Sequence, residues 1–253
     1  MVDYAYAADT GGNLYRVDFV NGADTKTALP ANKWVMNRVA FTNGGGRKFL
    51  FVPSLLQAGN KIYVAIGSGD REHPLQNQYP YRTPVTNRFY VYLDDLNGYV
   101  ANDLDSTATM IDNTLSNSCN AATALPSGSS KGWFASLNQN GPSEQVVTSA
   151  VIASGMISFS TNRPVLPSAT SCSANLGEAR GYWLNLVNGS GTIGVSGMCG
   201  GNRSAVFAGG GLPPSPVVGT VTINGRLVTV IIGAAQRTRS KLSDCIPAGA
   251  TGH

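Results

Sequence analysis

Short runs in which apolar and polar residues alternate fill most of the chain, and that period belongs to half-buried strands, not helices. The pattern predicts strands over 4–8, 13–19, 34–41, 48–52, 61–66 and 89–93. After a polar, turn-rich stretch over about 99–130, strands resume at 132–137, 144–152, 155–160, 181–186, 204–208, 217–223 and 226–233. The polar stretch reads as a long insertion with short helical turns. Elsewhere no segment sustains a long helical apolar period between caps. The last two strands flank Asn224-Gly225. Both residues tolerate positive φ, so this pair predicts a two-residue hairpin turn of type I′.

One segment recurs. Tyr15-Arg16-Val17-Asp18-Phe19-Val20-Asn21-Gly22 aligns with Val91-Tyr92-Leu93-Asp94-Asp95-Leu96-Asn97-Gly98 and with Tyr182-Trp183-Leu184-Asn185-Leu186-Val187-Asn188-Gly189. Three copies of an aromatic strand closed by Asn-Gly, at long and uneven spacing, point to an all-β fold built from repeated sheets. The expected architecture is a β-propeller, partial or irregular, spanning 1–253. In such a fold Asp9, Gly12, Asn13, Tyr15 and Asp18 serve structure: the acidic and amide residues bond local backbone, glycine supplies positive φ, and the aromatic ring wedges between blades.

Composition narrows the setting. The 253 residues are 42% hydrophobic but only 13% charged, with 30 Gly and 13 Pro. That suits an extracytoplasmic β-protein rich in turns. The net charge of +4 comes from scattered basic residues, without the runs that track nucleic-acid phosphates. The cluster Arg237, Arg239 and Lys241 reads as a solvated face. Cys119, Cys172, Cys199 and Cys245 lie too far apart for a C-x-x-C pair. They predict two disulfides in an oxidising compartment, with three pairings open. No apolar run reaches membrane-spanning length. Both ends read as interior to a domain, so we expect a piece of a longer protein.

Little in the chain favours catalysis. His73 lies in Gly67-Ser68-Gly69-Asp70-Arg71-Glu72-His73-Pro74, and the other histidine is His253. Ser68, Asp70 and His73 share one loop, whereas a triad is assembled from separate elements. Gly67-x-Gly69 lacks the third glycine and following helix of a phosphate cradle. Glu72, Glu144 and Glu178 show no pairing that marks a glycosidase. Asn102-Asp103-Leu104-Asp105 offers oxygen ligands for calcium, or turn caps. Trp133 and Trp183 are candidate sugar-stacking rings, or blade packing.

The run Val2-Asp3-Tyr4-Ala5-Tyr6-Ala7-Ala8-Asp9-Thr10-Gly11-Gly12-Asn13-Leu14-Tyr15-Arg16-Val17-Asp18 resembles the Y-x-G-D-x-x-G-N-L-W-R-x-D signature of the PilY family, called PilC in neisserial species. These are type IV pilus biogenesis and tip-adhesin proteins. The loop Gly67 to Pro74, the segments 132–137 and 144–148, and Arg237-Thr238-Arg239 look like further parts of that family's C-terminal propeller. Ala8 stands where the family has Gly, and Tyr15 where it has Trp. The resemblance implies a non-enzymatic pilus assembly and adhesion factor at the cell surface, pilus tip, periplasm or outer membrane. Implied partners are pilin, minor pilins, and host or abiotic surfaces. It also implies calcium-linked control of pilus extension and retraction, hence of twitching. The family's calcium loop precedes the signature, and Asp3 matches only its last position, so Ca2+ belongs to the full-length protein and the site is expected to be incomplete here. Two other classes fit blade-like sequence: a quinoprotein dehydrogenase and a carbohydrate-binding propeller.

Overall fold

Each copy of the recurring aromatic segment becomes an inner strand of its own sheet. The structure is a computed structural model that describes residues 2–22, 26–73, 85–117, 119, 130–165, 177–207 and 209–233. The first sheet contains β1 (Tyr4–Ala8), β2 (Asn13–Asp18), β5 (Val35–Phe41) and β9 (Asn102–Asp103), in that spatial order. The second runs β10 (Ile111–Asp112), β11 (Gly132–Ser136), β8 (Arg88–Asp95), β7 (Lys61–Gly67), β6 (Ser54–Ala58). The third runs β12 (Gln145–Val146), β14 (Met156–Arg163), β15 (Glu178–Asn185), β16 (Ser204–Val206), with β13 (Val151–Ala153) also on β14. The recurring segments begin in β2, β8 and β15. A small ribbon pairs β3 (Val20–Asn21) with β4 (Thr27–Ala28), and β17 (Val217–Ile223) pairs with β18 (Arg226–Ile232). The fold is all-β, with several sheets, none closed on itself among the described residues. No described helix is long and apolar enough to cross a membrane.

The second sheet is the middle layer. Alternate side chains of a strand face opposite ways, and here both faces are buried. Ile62, Val64, Ile66, Tyr90, Tyr92 and Phe134 pack with Leu14, Val39 and Ala40 of the first sheet. Their neighbours Ala65, Phe89, Val91, Trp133 and Ala135 pack with Ile157, Phe159, Tyr182 and Leu184 of the third. This explains why β7 and β8 read as near-continuous apolar runs. At the second seam Phe89 stacks on Phe159 with centroids 3.8 Å apart, and Phe159 stacks on Tyr182 at 4.8 Å. Trp133 is fully buried and donates its indole N–H to the Leu186 carbonyl at 2.9 Å. It is a packing residue, and no sugar can stack on it.

Two expectations need correction. Residues 48–52 form no strand. Phe49 donates its N–H to Asp9 O in the first sheet's turn, while Lys48 O accepts from Gly69 beyond β7. The segment divides its backbone bonds between two sheets instead of following one strand. The stretch after residue 99 is stitched into the sheets: β9 pairs parallel to β5, β10 pairs parallel to β11, and Leu104 and Met110 are buried in the core. Residues 118 and 120–129 of that stretch lie outside the described residues. On β2, Leu14, Arg16 and Asp18 turn toward the second sheet, and Tyr15 is partly buried on the opposite face. The Asn224-Gly225 hairpin forms as read, with φ of +49° and +76°.

Candidate functional site

The conspicuous polar feature is a buried charge cluster where the first sheet meets the second. Arg16 is fully buried. Its guanidinium grips Asp18 with two hydrogen bonds, 2.7 and 3.2 Å, and reaches Asp94 of β8 at 2.9 Å. It also donates to the carbonyls of Asp95 and Gly98. Tyr6 donates its hydroxyl to Asp94 at 2.6 Å, and the Tyr99 ring lies 5.0 Å from the guanidinium carbon. Arg16 and Asp18 come from the first recurring segment, Asp94, Asp95 and Gly98 from the second. The repeat thus builds its own sheet-to-sheet joint. Burial pushes the Asp94 carboxyl up, partly offset by Tyr6 and Arg16. Burial, followed by the Asp94 charge, raises the Tyr6 hydroxyl. Sequence reading named Asp18 but passed over Arg16 and Asp94. The visible signal was a charge pair two residues apart, at the inward phase of an alternating strand.

Around the entry turn, Asp9 accepts from Asn13 N at 2.8 Å, from Asn13 Nδ2 at 3.0 Å and from Tyr15 Oη at 3.2 Å. Burial alone would raise the Asp9 carboxyl, but these donors hold it below the usual aspartate range. Gly12 has φ +79°, and a Cβ there would lie 2.0 Å from Thr42 Oγ1.

The oxygen-rich positions are already committed. Asp3, just ahead of β1, pairs with Lys26 at 2.7 Å. Among the described residues it belongs to no group of three or more acidic, histidine or cysteine ligands. Asp105 is held by Arg47 at 2.8 Å, Arg88 at 2.9 Å and Tyr90 at 2.7 Å, while Asp103 caps the Asp105 N–H at 2.8 Å. That D-x-D run is a strut. Glu144 is buried and accepts from Thr161, Tyr182 and Asn140, while Glu178 pairs with Arg163 and Arg180.

The Gly67 to His73 loop sits where the second sheet meets the third. A Cβ on Gly67 would lie 2.3 Å from Val146 Cγ2, and one on Gly69 2.2 Å from Val146 O. Both glycines therefore admit the neighbouring strand and cradle no phosphate. Asp70, 1% exposed, pairs with Lys48 at 2.5 Å and His73 Nδ1 at 3.0 Å. Burial pushes its carboxyl up, but the bonds from Lys48 and His73 outweigh this and leave it below the usual range. Ser68 bonds Asn87 and Arg88, not His73. The loop holds no triad.

Cys119 is joined to Cys199, which ties the segment after β10 to the loop between β15 and β16. Cys172, Cys245, Arg237, Arg239, Lys241 and His253 lie outside the described residues. Trp183 meets Phe207 edge-on, with centroids 6.2 Å apart. A cleft of about 270 Å³ between the second and third sheets is lined by Ser136, Asn140, Arg180, Tyr182 and Arg203. Arg203 spends its guanidinium on the carbonyls of Asn113, Thr114 and Ser116.

No known family profile matches the chain, and no curated protein matches it in sequence. A solved structure does match. The fold is similar to the crystal structure of the Pseudomonas aeruginosa PilY1 C-terminal domain, with a TM-score of 0.62 at 14% identity. The likeness covers 92% of this chain and 56% of that one, so the chain spans about half the length of the structure it matches. At this identity the likeness shows a shared fold.

Proposed function

We propose that the chain is a non-enzymatic docking scaffold of a type IV pilus assembly and adhesion factor. The carrying observation is a coincidence of two things: the fold likeness to the PilY1 C-terminal domain, and the use of the signature residues Arg16 and Asp18 to join one sheet to the next through Asp94. We read the three sheets as successive blades around an axis. Buried polar groups, Arg16, Asp94 and Asp105 among them, are spent on joints and struts. A disulfide fits a site of action outside the cytoplasm, at the cell surface, pilus tip or periplasmic face. Partners of this scaffold are pilin or minor pilins, met along exposed strand edges such as β6, where Leu55 and Leu56 face solvent. Calcium control of extension and retraction, in this reading, uses ligands beyond this chain.

Deleting the gene in its host tests the proposal. Loss of surface pili and twitching, restored by the full-length gene, is the expected result, together with capture of minor pilins by the purified protein. Normal piliation and twitching in the deletion strain would overturn it. For this chain alone, calorimetry should show weak calcium binding or none, and tight one-to-one binding would contradict the Asp3 assignment.

A further inference from the structure

We propose that Asp70, Glu72 and His73 form a binding site for a divalent transition ion, with zinc as the representative, at the junction of the second and third sheets. The donor atoms of the three side chains all lie within 4.8 Å of one another. Ions of this class take carboxylate oxygen and imidazole nitrogen at about 2.0–2.2 Å, so modest closure of the exposed Glu72 completes three ligands. The second observation is Asp70 itself. It is 1% exposed, and its Oδ1 atom is buried with no hydrogen-bond partner among the described residues. A buried carboxylate oxygen without a donor is costly unless something satisfies it.

The loop is held in shape before any ion arrives. Val146 donates to Ser68 O at 3.0 Å, Asp70 N donates to Gln145 Oε1 at 2.7 Å, and His73 N closes the turn on Asp70 O at 3.0 Å. The imidazole already contacts the carboxylate through Nδ1 at 3.0 Å. An imidazole with two carboxylates favours zinc-like ions over calcium, which takes oxygen ligands alone.

Lys48 is the competitor. Its ammonium lies 2.5 Å from Asp70 Oδ2 and supplies the positive charge an ion would supply. The free Oδ1 is left for the ion, so Lys48 opposes it by its charge from Oδ2; the Lys48 side chain is 37% exposed and can swing into water as an ion binds. A bound ion would then tie Asp70, Glu72 and His73 together beside the strand at Val146, stiffening that junction.

Calorimetric titration of the full chain with zinc chloride, in a large excess of calcium, tests the site. The expected result is one ion per chain. His73→Ala and Glu72→Ala should each weaken binding by about tenfold or more. Both side chains are at the surface, so these variants keep the fold, which circular dichroism verifies. Lys48→Met should bind more tightly than the parent, because the competing ammonium is gone. His253→Ala should bind as the parent does. Four outcomes would overturn the proposal: no zinc binding, binding unchanged in His73→Ala, binding lost in His253→Ala, or no tightening in Lys48→Met.

Discussion

Arg16 shows how one side chain can hold two sheets. A guanidinium suits the place because its planar fork meets Asp18 with two bonds and still reaches Asp94. Removing one member of a buried ion cluster leaves the others as uncompensated charges. Arg16→Ala should therefore cost about 3–5 kcal/mol, read from the urea midpoint. Arg16→Lys should recover only part, since an ammonium cannot make the fork. Carboxyls at this scale also set the acid limit. Asp9, Asp70 and Glu178 are all held below their ordinary values. A carboxyl with a lowered folded pKa binds its proton less readily when folded. Its stabilisation is present above about pH 4, the unfolded value, and is lost as pH falls through the folded one. Asp94 is raised and works in the opposite sense. Urea titrations at pH 6, 4 and 3 should show stability falling with acid. The Asp70→Asn variant should start lower and fall less steeply, because it has lost one titrating group.

Strands and loops were legible to different degrees, for physical reasons. β1, β17 and β18 stood out because alternation and an Asn-Gly turn are local signals. β2, β8 and β15 stood out because they repeat. β6 was missed: Ser54-Leu55-Leu56-Gln57-Ala58 does not alternate, and its Leu55 and Leu56 are exposed on a sheet edge. Residues 48–52 misled because Phe49 is buried between sheets, which mimics a strand's apolar phase. The disulfide partners could not be read at all, since pairing depends on how the third sheet folds back on the second. The glycine loop carried a signal that was chemically ambiguous. Gly67 and Gly69 lack the rest of a phosphate cradle, and the structure shows them to be packing glycines. The distinction has a consequence at this scale. Gly69→Ala would place a carbon against the Val146 carbonyl, 2.2 Å away. Backbone cannot yield as a flexible side chain can. The variant should lose at least about 1–3 kcal/mol, the usual cost of overpacking. Amide hydrogen exchange should then rise first in β12 and in the loop.

Across the described residues, stability rests on seams between sheets, and the seam of the second and third sheets carries a disulfide. The Cys119–Cys199 bond closes a loop with a sequence separation of 80 across the second and third sheets. Chain-entropy reasoning assigns such a loop about 4.5 kcal/mol. The double variant Cys119→Ser, Cys199→Ser should melt on the order of 10 °C lower by calorimetry. Among the described residues no such link reaches the β17–β18 hairpin. One of its faces carries Val217, Val221, Ile223, Val228 and Ile232, all exposed, with Val221 directly opposite Val228. A two-stranded ribbon is marginal alone, and an uncovered apolar face beside open strand edges invites pairing with other chains. In a longer scaffold of stacked sheets, the next sheet would cover that face. Expressed alone, the chain should therefore associate in a concentration-dependent way by size-exclusion chromatography with light scattering. Val221→Lys with Val228→Glu sets opposite charges across the ribbon, which preserves the hairpin while making the face polar. That double variant should run as a monomer. A parent chain that is monodisperse at every concentration would show the face to be harmless, and would count against reading these sheets as part of a larger stack.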